Sequence, residues 1–331
     1  MQIETPMRIL SAEDVRRALP MKEAVETMKN AFSVLSAGHA AMPVRSHLEV
    51  PEHGGTALFM PSFVEAFGNI GVKVVNVFEN NPEAGLPRIQ ALVCLFDGRT
   101  GAPAAVVEGT SLTALRTGAA SGAATDLLAR ADARTLAVLG AGVQGRTQIE
   151  AVCAVRPIQE AHVYDPVLEQ AEAFVAEMGP RFGVEIKVAA TAGAAVRDAD
   201  IVCTATVASR PVFSDSDIRE GTHINAVGSY QPGVQEIPGE TVKRARLVVD
   251  HRESTLAETG DLIIPIRQGL ITENHIKAEL GEIVLGHALA RSSPEEVTLF
   301  KSVGLAVQDL AAASRILDHA RAKDLGTLVS L

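Results

Sequence analysis

The chain of 331 residues contains no tryptophan and only two tyrosines, and aromatic residues make up 4% of it. Its core must therefore be built from smaller aliphatic side chains, for which a hydrophobic content of 47% is ample. Blocks of positive charge are missing too. The formal net charge is −10 and no Lys/Arg run exceeds two or three residues. That excludes a sequence-independent grip on a phosphate backbone, so no nucleic-acid partner is expected. No uninterrupted apolar run approaches the ~18 residues of a bilayer span, so no membrane partner is expected either. The opening "MQIETPMRIL" lacks the basic-then-apolar pattern of a secretion signal. Cys94, Cys153 and Cys203 stand far apart without C-x-x-C spacing. They read as reduced, buried thiols of a cytoplasmic protein. Nine histidines show neither H-x-x-x-H nor H-E-x-x-H spacing, and no metal site is expected.

What is present falls into two patterns, and the length suits about two domains. Residues 21–37 set Val25, Met28, Phe32 and Leu35 at helical spacing, with Gly38 as a stop. "GVKVVNVF" (71–78) and "RIQALVCLF" (88–96) read as strands. "DGRTG" (97–101) then offers turn chemistry before "APAAVVEG", which predicts a hairpin. The stretch 114–125, "ALRTGAASGAAT", predicts a helix whose glycines and alanines allow close backbone approach. From 135 onward, apolar runs at 135–139, 161–164, 184–188, 200–204, 222–227 and 246–250 alternate with helical stretches such as 167–178. Six strands with crossovers predict an α/β fold containing a Rossmann-type, doubly wound parallel sheet. "VGLAVQDLAAASRILDHA" (303–320) predicts a long helix that packs back on the first third. The α+β domain is then discontinuous, with 1–118 and 305–331 forming one domain and 119–304 the other.

The strand "TLAVL" runs into Gly140, Ala141, Gly142, Val143, Gln144 and Gly145, a G-x-G-x-x-G loop that opens a helix. In such loops the first glycine permits the tight turn and the second lets backbone N–H groups approach a pyrophosphate. The third lets helix and strand touch. The helix N-terminus adds partial positive charge. The next strand ends in Asp165, twenty residues beyond Gly145. An acid there accepts hydrogen bonds from an adenosine ribose and repels a 2′-phosphate, which favours NAD over NADP; otherwise it is an ordinary strand-end acid. Thr204, Ala205 and Thr206 close the fourth strand, and Val227, Gly228 and Ser229 follow the fifth. Ligands of open α/β sheets bind outside the carboxyl ends of strands, so these two loops are expected to border the cofactor.

Three cations stand in apolar or small-residue settings: Arg45 in "MPVRSHL", Lys73 in "NIGVKVVNVF" and Arg116 in "TALRTGAA". Lys73 interrupts a strand that otherwise reads as buried, and an unpaired ammonium there is costly. It needs an anionic partner, either a local glutamate or a ligand. Three such cations suit recognition of a carboxylate, although spacing alone does not bring them together.

Together with "ALFMPSF", "GVKVVNVFENN", "TALRTGAASGAAT", "VLGAGVQGRTQIEA", "HINAVGSYQPGVQEI", "ETGDLIIPI" and "TLFKSVGLAVQDLAAA", these stretches resemble the ornithine cyclodeaminase/mu-crystallin family along essentially the whole chain. The resemblance implies a homodimer whose discontinuous N-terminal domain supplies the interface, followed by a Rossmann domain. It implies that Arg45, Lys73 and Arg116 bind the substrate carboxylate and that Thr117 lies next to the phosphates of the dinucleotide. Three departures matter. Tyr230, in "GSYQP", stands where cyclodeaminases of this family carry an aspartate. Leu58 precedes "FMP" where they carry a glutamate. Arg88, in "GLPRIQ", replaces a threonine that faces the nicotinamide carboxamide; it either points outward or adds a cation for a second carboxylate.

The resemblance and its departures lead to the expectation of an NADH-dependent reductase of small 2-imino acids or cyclic ketimines, or equivalently an amino acid dehydrogenase. Hydride transfer at C2 is expected with the carboxylate against Arg45, Lys73 and Arg116. Lys73 is the first choice of proton donor, ahead of Tyr230 and His47. Two other readings stay open: redox-neutral cyclodeamination with bound NAD, and a mu-crystallin-like binding protein without turnover.

Overall fold

The computed structural model describes residues 6–330. The chain forms two compact units, one ending at Arg116 and resuming at Leu305, the other spanning Thr117–Gly304. The first boundary lies inside the helix Gly109–Leu128, between Arg116 and Thr117. Among the described residues no helix is long and apolar enough to cross a membrane.

The first unit contains β1 (Met7–Leu10), β2 (Ala40–Ala41), β3 (Ser46–Val50), β4 (Gly55–Val64), β5 (Asn69–Phe78), β6 (Ile89–Asp97) and β7 (Pro103–Glu108). β4, β5, β6 and β7 pair antiparallel in sequence order. β7 then pairs parallel with β1, and the closing strand Thr327–Val329 pairs antiparallel with β1. The expected hairpin is present. Asp97 Oδ1 accepts hydrogen bonds from the N–H groups of Arg99 and Thr100 and from the Thr100 hydroxyl, and Gly101 takes a φ of 73° to close the turn. The helices Met21–Ser36 and Ala306–Lys323 pack on each other, and the second also packs on β4, β5 and β6. On β5, β-branched and apolar residues alternate so that Gly71, Lys73 and Val75 are buried while Ile70, Val72 and Val74 are not. The long C-terminal helix thus covers one face of the sheet. Gly71 faces Leu310 so closely that a Cβ there would need the leucine side chain to give way slightly.

The second unit is a parallel sheet of β8 (Thr135–Leu139), β9 (Glu160–Tyr164), β10 (Glu185–Val188), β11 (Ile201–Thr204), β12 (His223–Ala226), β13 (Arg246–Val249), β14 (Ile276–Glu279) and β15 (Thr298–Lys301). The order is β10-β9-β8-β11-β12-β15-β13-β14. Six of these eight strands are the apolar runs seen in the sequence; β14 and β15 are additions. Each is only four residues long and carries charge, IKAE with two charged residues and TLFK with a lysine that is buried. From β8 the chain steps outward to β9 and β10, then crosses back to β11 on the other side. That reversal is the switch point at which such sheets bind ligands at their carboxyl ends. Between β8 and β9 runs the helix Val143–Val155. Gly118 lies against the backbone of Thr147 so closely that any Cβ would overlap it, the close approach expected of the small-residue stretch. The helix Leu168–Phe182 buries Ala171, Phe174 and Met178 and ends at Gly183 in the left-handed region, four residues later than the sequence stripe suggests.

Candidate functional site

In the first unit Lys73 occupies the middle of β5, in register with Met60 on β4 and Val93 on β6, both buried. Its side chain is 2% exposed. Its partner is neither a local glutamate nor any neighbour in sequence. Asp309, from the first turn of the helix Ala306–Lys323, places Oδ2 2.7 Å from Lys73 Nζ and Oδ1 2.9 Å from Arg116 Nε. One buried carboxylate thus joins two of the three expected cations. Gln308, one residue earlier, accepts from the Leu305 N–H at 2.7 Å and from Arg116 NH1 at 3.3 Å, which seats both the helix start and the guanidinium. Ser62 Oγ donates to the Ala306 carbonyl and fixes the same turn to β4.

Two cations share one carboxylate in the interior. Half-buried just ahead of β3, Arg45 acts electrostatically on Lys73. Burial, Arg116 and Arg45 all push the Lys73 ammonium down while Asp309 holds it up. The outcome is a pKa of about 8.

The remaining substrate-site candidates are Arg88, His47 and Tyr230. Arg88 pairs with Glu79 at 2.5 Å across the end of the β5–β6 hairpin, so an internal carboxylate already answers its charge. His47 is exposed on β3 opposite Leu58. Tyr230 is exposed in the loop after β12.

The glycine loop of the second unit has the build of a phosphate cradle. Gly140 takes a φ of 98°, and a Cβ on it would strike the Ala205 carbonyl. A Cβ on Gly145 would collide with the carbonyl oxygen of Gly140, whereas one on Gly142 would meet nothing. The helix Val143–Val155 starts at Gly142 with no side-chain cap. Its leading N–H groups thus have no side-chain acceptor, the arrangement in which a diphosphate is held. Asp165 follows β9 directly. Its Oδ2 accepts from the Ala141 N–H at 2.9 Å and its Oδ1 from the Val167 N–H at 3.0 Å, tying the second strand end to the loop. Thr117 is buried on the helix Gly109–Leu128. The donor set suits a dinucleotide, with the loop and helix end for the phosphates and a half-buried acid at the adjoining strand end.

The loops after β11 and β12 are tied together from within. A single carboxylate, that of Glu236, accepts from Thr204 Oγ1, Thr206 Oγ1, and the N–H groups of Thr206, Gly228 and Ser229, at 2.6–3.1 Å. The N–H of Ala205 goes to the Leu139 carbonyl and that of Val227 to the Thr204 carbonyl. The N–H groups of Ala205, Thr206, Val227, Gly228 and Ser229 are thus all satisfied internally. Beneath them Asp261 accepts from the N–H groups of Glu236 and Ile237, and its other oxygen lies 2.8 Å from Lys301 Nζ. Glu236, Asp261 and Lys301 are all buried. These three and Asp309 all lie within the stretches quoted for the resemblance, yet none stands out as a candidate there; the signal available was a charge set inside an otherwise apolar run, as in "TLFK" and "AVQDLAAA". No group of histidine, cysteine and carboxylate side chains suited to a metal ion occurs among the described residues.

Residues 6–324 match the model of the ornithine cyclodeaminase/mu-crystallin family. A Delta(1)-pyrroline-2-carboxylate reductase of Bacillus cereus is 42% identical over 321 residues, covering 97% of this chain and 98% of that one. The structure of the Thermococcus litoralis Delta(1)-pyrroline-2-carboxylate reductase with NADH and L-proline superposes with a TM-score of 0.94 at 46% identity, over 98% of this chain and all of that one. An archaeal alanine dehydrogenase dimer with bound NAD gives 0.92 at 35% identity, over 99% and 100%.

Proposed function

The chain belongs to the ornithine cyclodeaminase/mu-crystallin family, and we propose that it reduces small cyclic 2-imino acids, with Δ1-pyrroline-2-carboxylate the first substrate to test. At the coarser level it is an NAD(P)-dependent oxidoreductase acting on CH–NH groups. One observation carries the finer reading. Lys73 and Arg116 are buried around a single carboxylate with Arg45 acting on them, a cluster with positive charge in excess that a substrate carboxylate completes. Guanidinium forks and an ammonium suit that planar anion.

When bound, the reduced nicotinamide supplies hydride to C2 of the imine. Arg45 and Arg116 hold the carboxylate and thereby fix C2. Lys73 adds attraction for the same carboxylate and donates a proton to the imine nitrogen as C=N becomes CH–NH. An amine with a pKa of about 8 is charged at neutral pH and still releases a proton readily. Water then reprotonates it. Leu58 and Tyr230 stand where cyclodeaminases of the family carry the acids for the distal amine and for the reacting amino group, which disfavours a diamino acid as substrate.

Rates of reduced-nicotinamide consumption test the reading, with Δ1-pyrroline-2-carboxylate, piperideine-2-carboxylate, and pyruvate plus ammonia as substrates. The expected result is NADH-dependent formation of proline or its homologue. Proline and ammonia from ornithine without net change in NADH would overturn it, as would saturable binding with no turnover of any imine.

NADH is the proposed reductant over NADPH, because the Asp165 carboxylate repels a 2′-phosphate. Asp165→Ser is expected to raise kcat/KM with NADPH at least roughly tenfold, as removal of a like charge does. An unchanged NADPH-to-NADH ratio would remove Asp165 from that role.

A homodimer is proposed through the uncovered face of the first unit's sheet. There the rows Phe59–Val74–Leu92, Pro61–Val72–Cys94 and Phe63–Ile70–Phe96 run across three strands, and Leu92 is 52% exposed. So broad an apolar surface marks an interface, and a two-fold axis makes it self-complementary. Leu92→Glu combined with Phe59→Glu is expected to give monomers by sedimentation equilibrium; a dimer that survived both would place the contact elsewhere.

A further inference from the structure

We infer that Asp309 is a positioning residue of the proposed reaction, a buried counter-ion that keeps Lys73 charged and aimed while its second oxygen seats Arg116. The inference rests on the imine-reductase reading. Its geometric basis is the division of one carboxylate between two cations at 2.7 and 2.9 Å, with all three side chains almost wholly buried. Because each oxygen has its own partner, the carboxylate plane fixes the separation of amine and guanidinium. The first turn of a long helix holds it there. Gln308 clasps Arg116 from the next position on the same turn.

Charge makes the same point. The charged groups acting on Lys73 come from three elements: Asp309 from the C-terminal helix, Arg116 from Gly109–Leu128, and Arg45 from the segment before β3. Without Asp309, the buried Lys73 and Arg116 would face each other with no carboxylate between them, and of the two only Lys73 can shed its charge near neutral pH. A neutral amine would neither attract the substrate carboxylate nor deliver a proton to nitrogen. The internal anion thus leaves the cluster positive enough to bind one carboxylate and negative enough to keep its lysine protonated.

The test is the pH profile of kcat/KM for Δ1-pyrroline-2-carboxylate. In the wild type the rate needs charged Lys73 and falls as pH rises through about 8. In Asp309→Asn, which keeps the shape but not the charge, that alkaline limb is expected to move down by about one pH unit or more. Activity in Asp309→Asn is expected to return on acidification, and Asp309→Glu is expected to restore the limb. A limb unmoved in Asp309→Asn, with only a lower melting temperature, would overturn the inference and reduce Asp309 to a structural ion pair. If Asp309→Asn does not fold, unfolding of Asp309→Leu is compared with that of Lys73→Met/Asp309→Leu. The double variant is expected to be the more stable, because it removes an uncompensated buried charge, and equal or lower stability would contradict the counter-ion role. A wild type inactive on every imine would instead defeat the reading beneath it, a result distinct from an active wild type with an unmoved limb.

Discussion

Lys73→Met is expected to lower kcat/KM for the cyclic imine by about 10²–10⁴-fold, the usual worth of a general acid, while the protein still folds. Methionine keeps the unbranched stem that lies between Met60 and Val93. It removes only the terminal ammonium. Asp309 keeps Arg116 as a partner at 2.9 Å, so the substitution leaves no isolated buried carboxylate. A purely structural lysine would give the opposite pattern, with stability lost and rate per folded molecule kept. Steady-state kinetics alongside thermal melting separates the two. The proposed dual role of Lys73, toward both the carboxylate and the nitrogen, predicts that kcat falls together with the affinity for L-proline; a change in KM alone would leave it only the binding role.

Glu236→Leu is expected to destabilise the second unit by about 3–5 kcal/mol and to weaken NADH binding with it. The leucine would leave the N–H groups of Thr206, Gly228 and Ser229 without an acceptor in the interior, together with two threonine hydroxyls. No rearrangement nearby can serve them, because the Asp261 carboxylate is already occupied by Lys301 and two backbone N–H groups. Both loops follow the carboxyl ends of strands on one side of the switch point, so their loosening is expected to reach a cofactor bound there. Calorimetry of the apo protein and titration with NADH measure the two effects. Unchanged melting would mean that the knot of Glu236, Asp261 and Lys301 contributes no stability. Unchanged NADH affinity in a destabilised protein would detach the two loops from the cofactor.

These two sites also show what a linear reading can and cannot reach. The glycine loop, the hairpin at Asp97 and six strands were legible because backbone conformation and apolar patterning are local properties. Lys73 was legible as a misfit, a cation inside the strand "GVKVVNVF". Its answer lay 236 positions away, and only the return of the chain onto the sheet brings Asp309 to β5. β15 stayed hidden for a related reason. Its Lys301 reads as exposed until Asp261 is known to sit beside it. Acceptors such as Glu236 are invisible in sequence because what they bind is backbone, which every residue has. For Arg88 the sequence left two readings open, and the structure supplies an internal partner, Glu79.

The most direct test of the account is a crystal structure of the protein grown with NADH and L-proline. The account predicts the proline carboxylate within hydrogen-bonding distance of Arg45, Lys73 and Arg116, with Asp309 still between the last two. A proline held by other groups, with those three cations turned solely toward the protein's own carboxylates, would contradict it.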